Sequence, residues 1–125
     1  MYERLIMATL EEIFAYVDAR RQVDQLRLSI NDSFANIDFA VTPTSPVPPI
    51  MIEEAMNMSP PPQGELWLRN TRPFNAYGIP TTSIPCGFTQ SGLRIGLQIA
   101  APLGAEASLL SFAHAFEQAV PLGKQ

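Results

Sequence analysis

From Met1 to Phe39 the chain holds neither glycine nor proline, and its apolar residues recur at helical spacing. Ile6, Leu10, Ile13, Phe14 and Val17 form one stripe, and Val23, Leu26, Ile30, Phe34 and Ile37 form another. Because side chains advance by about 100° per helical residue, the second stripe is rotated from the first by roughly 140°. Two arrangements satisfy that offset: a break near Asp18 to Arg21, or one long helix buried on different sides along its length. Good helix formers dominate the segment, so residues 1–37 are predicted as a helical N-terminal segment.

The pattern then changes period. Phe39 to Thr42 is a short apolar, β-favouring run that stops at Pro43, as a buried strand entering a loop would. Pro46, Pro48 and Pro49 hold the following chain extended and cannot donate hydrogen bonds, which predicts a surface crossing. Ile52 to Met58 suits a helical turn before a second proline cluster at Pro60 to Pro62. A further helix is expected around Pro73, with Thr71 capping from outside its first turn, Gly78 ending it and Pro80 preventing continuation. Thr81 to Ile84 reads as a strand and Cys86 with Gly87 as a turn. In the next strand Leu93, Ile95, Leu97 and Ile99 alternate with Arg94, Gly96, Gln98 and Ala100. After Gly104 helix resumes to about Val120, with Leu109, Phe112, Ala113 and Phe116 on one face. No internal repeat is visible.

Composition narrows the picture. A chain of 125 residues supports one domain at most, with a core. At 46% hydrophobic and 16% charged it is more apolar than an ordinary globular chain, which implies unusual burial or apolar surface meant for a partner segment. The net charge is −4 and the basic residues are scattered apart from Arg20 and Arg21, so no phosphate-tracking stripe exists and nucleic-acid binding is not expected. The single cysteine excludes an intramolecular disulfide and fits a reducing compartment. The longest uncharged run, Pro73 to Leu93, contains three prolines and three glycines and would not span a bilayer as a helix. The expectation is a cytoplasmic protein without membrane contact.

Few residues offer chemistry. Cys86 is the only thiol and His114 the only imidazole, yet a helical projection sets His114 roughly 160° from the centre of the apolar stripe, on the polar face. Thr81, Thr82 and Ser83 supply hydroxyls without a nucleophile elbow or a neighbouring base, and read as strand residues. Glu11 with Glu12, and Glu53 with Glu54, are adjacent and do not share a helical face, so neither pair forms an acid/base couple. No metal site and no cofactor are expected.

The stretch Asn70 to Gln98 reads NTRPFNAYGIPTTSIPCGFTQSGLRIGLQ. It resembles the C-terminal signature of the amidase signature family, in which N-T-x-P-F-N-x-x-G-x-P-x-x-S-x-P-C-G-F is followed after a spacer by G-L-P-I-G-L-Q. Asp38 and the run TPTSPVPPI resemble the strand-to-loop segment of the same family, and the similarity extends over roughly Arg21 to Val120. The resemblance implies an α/β fold, with helices flanking a small mixed sheet, that forms the C-terminal part of an enzyme hydrolysing carbon–nitrogen amide bonds. In such enzymes the acyl group passes from the amide to a serine and then to water, with backbone N–H groups holding the oxyanion. The two serines and the lysine responsible lie upstream on a Gly/Ser-rich loop and a lysine-bearing strand, and no such loop occurs in this sequence. No catalytic residue is therefore assigned, and the chain alone is expected to be inactive. Thr71, Phe74 and Asn75 are implied as residues that line or support the substrate pocket.

The resemblance also implies partners: an upstream catalytic portion and a small amide substrate, with a homo-oligomer as a further possibility. Two departures refine it. Arg94 stands where the family has proline, and nothing acidic lies between Leu66 and Asn75, where glutamine-using amidotransferases carry an aspartate. The chain is on that ground closer to general amidases, although related to the hydrolytic component of the tRNA-dependent amidotransferase. Residues 1–125 are read as one domain or fragment, with 38–125 the α/β segment carrying the signature. A standalone oligomeric binding or assembly module derived from the fold is the main alternative, and a thiol enzyme using Cys86 the weaker one.

Overall fold

The computed structural model describes the backbone of residues 2–57 and 64–122, and the side chains of 12–57 and 66–122. Expectations concerning Ile6, Leu10, Met58 and the Pro60 to Pro62 cluster lie outside those residues. Along the chain run α1 (Tyr2–Ser29), a 3-10 turn (Ile30–Phe34), β1 (Ala40–Pro43), α2 (Ile52–Asn57), α3 (Gly64–Leu68), α4 (Arg72–Tyr77), β2 (Thr81–Phe88), β3 (Arg94–Ala100) and α5 (Glu106–Ala119).

Of the two arrangements open for the N-terminal stripes, the long helix is the one formed: α1 passes through Asp18 to Arg21 without a break. Arg20 and Arg27 both reach Asp24 at 3.6 Å, one turn away on either side, and Gln22 donates to Asp18 at 3.1 Å. Such pairs support a helix through the middle of the segment. The described part of the first stripe is nonetheless uncovered, with Ile13, Phe14 and Val17 exposed, while Val23, Ile30 and Phe34 of the second are half-buried.

The three strands lie in the order β1-β3-β2 and both pairings are antiparallel. Helices surround a small sheet as expected, and its mixed character is not carried by these three strands. The sequence explains the order: Pro43 and Pro85 lack an N–H and sit on edge strands, where that side of the backbone needs no partner, whereas β3, free of proline, takes the centre and bonds on both sides. Opposed residues share a face, so the register sorts the side chains. Val41, Ile99 and Thr82 form one row, and Thr42, Gln98 and Ser83 form the next row on the other face.

The first face is the core. Ile84, Ile99, Ala101, Leu109 and Ala113 are buried together, with Phe39, Leu97, Ala105 and Phe116 packed against them. α5 supplies Leu109, Ala113 and Phe116 from the stripe foreseen in the sequence. Phe112 lies at its margin, stacked on Phe39 with ring centroids 4.7 Å apart. Ile99 is 0% exposed, a burial that stabilises by about 1.5–3 kcal/mol.

The expected turn at Cys86 and Gly87 is not there. β2 continues to Phe88, and the register shifts between Pro85, opposite Gly96, and Gly87, opposite Ile95, leaving Cys86 as the extra residue of a bulge. The reversal falls later: Thr89 N–H donates to the Leu93 carbonyl at 2.8 Å, Leu93 N–H donates to Thr89 Oγ1 at 3.0 Å, and Gly92 adopts φ +82°. The physical reason is that the missing N–H of Pro85 lies on the outer side of an edge strand, away from the ladder, so the strand continues past it.

Candidate functional site

The second face of the sheet is polar, and the signature residues gather there. Gly96 on the central strand has no side chain, and a Cβ in its place would sit 2.7 Å from Thr44 Oγ1 and 2.9 Å from Ser83 Oγ. Those two hydroxyls hydrogen-bond each other at 2.5 Å across the gap that the glycine leaves. Thr44 extends the β1 ladder by donating its N–H to the Gly96 carbonyl at 2.9 Å. Ser83, read from the sequence as a strand residue, is therefore also the partner of a residue 39 positions away.

One position further along β3 on this face, Gln98 is 4% exposed. A buried amide costs free energy unless its donors and acceptors are met. Its Nε2 donates to the Asn70 carbonyl at 3.0 Å and approaches Thr42 Oγ1 at 3.4 Å. Asn70 in turn donates from Nδ2 to the Pro43 carbonyl at 2.7 Å. The first and last residues of the signature, Asn70 and Gln98, are thus bonded to each other, and Asn70 is tied to β1 and β3 at once. Sequence reasoning singled out neither residue. The signal that could have found them is a lone polar side chain within Leu97–Ala101, in a strand whose neighbours are aliphatic.

Asn70 leads directly into α4. Thr71 is the residue before the helix, but it does not cap it: its backbone is already helical, with φ −96° and ψ −34°, and its Oγ1 donates back to the Leu68 carbonyl at 3.3 Å. The turn leaving α3, with Thr71 N–H donating to Leu68 O at 3.2 Å, takes the hydroxyl that the sequence assigned to the cap. The C-terminal expectation holds, since Gly78 is left-handed at φ +72° and its N–H donates to the Phe74 carbonyl at 2.9 Å. Phe74 is half-buried and Asn75 exposed, and the Asn75 side chain makes no hydrogen bond among the described residues. From the opposite side Arg27 Nε donates to the Ala76 carbonyl at 2.7 Å, tying α1 to the end of α4. Thr71, Phe74 and Asn75 therefore share a six-residue helix and the residue before it, held at its start by the sheet and at its end by α1.

The remaining candidates do not assemble into chemistry. Cys86 is a half-buried free thiol in the bulge and His114 is exposed on α5, with no hydrogen bond joining them. Arg94 faces outward as expected, 5.9 Å from the centroid of the Phe88 ring. A shallow depression of about 260 Å³ lies beside it, lined by Pro85, Arg94, Glu117, Val120, Pro121 and Leu122. None of the three pocket candidates borders it. Among the described residues no cluster of histidine, cysteine or acidic side chains is suited to a metal, and no helix is long and apolar enough to cross a membrane.

A sequence profile described as amidase matches residues 2–110. The A-type subunit of glutamyl-tRNA(Gln) amidotransferase from Thermodesulfovibrio yellowstonii is 37% identical over 126 residues, covering 97% of this chain and 26% of that protein. Its counterpart in Prochlorococcus marinus is 36% identical over 95% of this chain and 25% of its own length. Among solved structures, the counterpart from Thermotoga maritima superposes with a TM-score of 0.70 at 26% identity, over 98% of this chain and 27% of its own. A 6-aminohexanoate cyclic dimer hydrolase superposes with a TM-score of 0.72 at 29% identity, over 86% of this chain and 24% of its own. The chain spans about a quarter of the length of the relatives it matches.

Proposed function

The chain belongs to the amidase family, and from that membership we propose that it is the C-terminal part of an amidase signature hydrolase cleaving carbon–nitrogen amide bonds. Its role is to build one wall of the substrate pocket, with Thr71, Phe74 and Asn75 lining or supporting that wall. The serine nucleophile, the second serine and the lysine reside on an upstream catalytic portion that is this chain's partner, so the chain alone turns over nothing. The substrate is a small linear amide. The absence of an acidic residue between Leu66 and Asn75 favours a general amidase over a glutamine-dependent amidotransferase. A lone thiol agrees with a cytoplasmic setting.

One observation carries this reading. Among the described residues large apolar side chains stand uncovered in groups, with Ile13, Phe14 and Tyr16 exposed on α1 and Met51, Ile52 and Met56 exposed at α2. A chain that matches a quarter of its relatives and leaves such surface uncovered is suited to packing against the remainder of the enzyme.

The test is complementation. The chain and a separately expressed upstream portion of a related amidase are assayed apart and mixed, on a simple aromatic amide. Hydrolysis in the mixture alone is the expected result. Hydrolysis by the chain by itself, abolished in Cys86→Ala, would instead identify a thiol enzyme. A stable homo-oligomer that ignores the upstream portion would identify a binding or assembly module.

A further inference from the structure

We propose that Gln98 and Asn70 form a positioning brace that sets the placement of α4, and so governs how tightly the complete enzyme holds its amide; this rests on the pocket-wall reading above. Gln98 stands on the central strand, where neighbours on both sides immobilise the backbone. Its amide is 4% exposed and directs one donor to the carbonyl of Asn70 and the other towards Thr42. Asn70 completes the brace through its own amide, which donates to the carbonyl of Pro43. A single residue ahead of Thr71 is thereby held by strands that lie 27 and 28 positions away in sequence.

The two ends of α4 are held differently. Its C-terminal end is tied by Arg27, an exposed side chain whose bond to Ala76 competes with water. Its start is tied through Gln98, which is 4% exposed and whose bonds to Asn70 and Thr42 are part-buried. Buried polar bonds are costly to leave unmade and define one geometry, so the start of α4 is the reference point and the end follows. A methionine side chain at 98 is of similar length and would fill much of the same volume. It would leave the Asn70 carbonyl without its partner, and the start of α4 free to shift.

The experiment compares Gln98→Met and Asn70→Ala with the parent chain by amide hydrogen exchange. Asn75 and Gly78, whose N–H groups donate to the Thr71 and Phe74 carbonyls, report on α4. Ala101 and Leu109, which donate to Pro80 and Ala105, report on the sheet edge and α5. Gln98→Met is expected to speed exchange at Asn75 and Gly78 about tenfold, and Asn70→Ala, which removes the exposed bond to Pro43 but keeps the Asn70 carbonyl, about threefold, with the reference amides within about twofold. The double variant is expected to exceed either single, because the two bonds tether Asn70 separately to β1 and to β3. Equal acceleration at all four amides, or none at any, overturns the proposal. Should Gln98→Met fail to fold, Asn70→Ala tests the arm to Pro43, and unchanged exchange at Asn75 and Gly78 in that variant overturns the proposal.

In the complemented enzyme the same substitutions are expected to raise KM for the aromatic amide about tenfold with kcat within about threefold, the pattern of lost binding. A fall in kcat at unchanged KM overturns the positioning role. If the parent mixture shows no hydrolysis, the pocket-wall reading fails, while the exchange result still decides whether the brace exists.

Discussion

α1 and the unit formed by the sheet with α5 are comparably rich in apolar residues, yet their side chains meet different surroundings. In the sheet unit aliphatic side chains meet each other: Ile84, Ile99, Ala101, Leu109 and Ala113 are buried within this chain. In α1 they meet water, with Phe14 69% and Leu28 85% exposed. Hydrogen bonds also join the helix to the body, through Arg27 to Ala76 and, just beyond the helix, through Asn31 Oδ1, which accepts from Leu103 N–H at 3.3 Å. An amphipathic stripe states that a face is to be covered and is silent on what covers it. Among the described residues the sheet unit finds its cover within this chain, and Ile13, Phe14 and Val17 of α1 do not.

That contrast can be broken, and the strongest blow falls on the sheet unit. Ile99→Ala leaves a cavity in the fully buried position and is expected to cost about 3–4 kcal/mol, enough to unfold much of the population in urea titrations followed by circular dichroism. A loss below about 1 kcal/mol would mean the unit has no cohesive core of its own. Gly96→Ala comes next, at about 1–3 kcal/mol, because the new methyl overlaps the Thr44 and Ser83 hydroxyls. Pairing it with Ser83→Ala is expected to recover part of that loss, and no recovery would show that the strain lies in the backbone rather than in the hydroxyl pair.

Arg27→Ala tests the tether between the regions. It is expected to cost about 0.5–1 kcal/mol, as exposed charge-assisted contacts do, and to raise amide exchange in α1 while the amides of β3 keep their protection. Acceleration in both regions would show that the helix stabilises the sheet. The smallest effect on the isolated chain is expected from Phe14→Ser, within about 0.5 kcal/mol of the parent in thermal melts. The same substitution is expected to abolish complementation by the upstream portion. A large loss of stability would reveal a partner for Phe14 within the chain, and undiminished complementation would remove α1 from the proposed contact.

The secondary structure is legible in the sequence wherever one local force dominates. Helical periodicity without glycine or proline marks α1, the alternation from Leu93 to Ala100 marks β3, and Gly78 before Pro80 marks the end of α4. Sequence and structure part where two roles compete for one residue. Pro85 resembles a strand stop, but on an edge strand its missing N–H faces away from the ladder and β2 continues into a bulge at Cys86. Thr71 has the composition of a cap, but the turn from α3 claims its hydroxyl. Of the candidate site, Thr71, Phe74 and Asn75 are foreseeable together on one short helix, because they are neighbours in the chain. Gln98, Asn70, Thr44 and Ser83 are not, because their bonds join positions 27 to 39 residues apart.

Periodicity, the signature from Asn70 to Gln98 and the placement of its glycines and prolines were thus sufficient to determine the family, the helices around a small sheet and the segment bearing the pocket candidates. Tertiary structure alone decided which strand is central, which face of that strand meets the apolar core, and that the two ends of the signature hydrogen-bond each other. The physical reason is the range of the forces: propensity and periodicity act within a turn or a strand, whereas a buried amide such as Gln98 is satisfied only when distant segments have met.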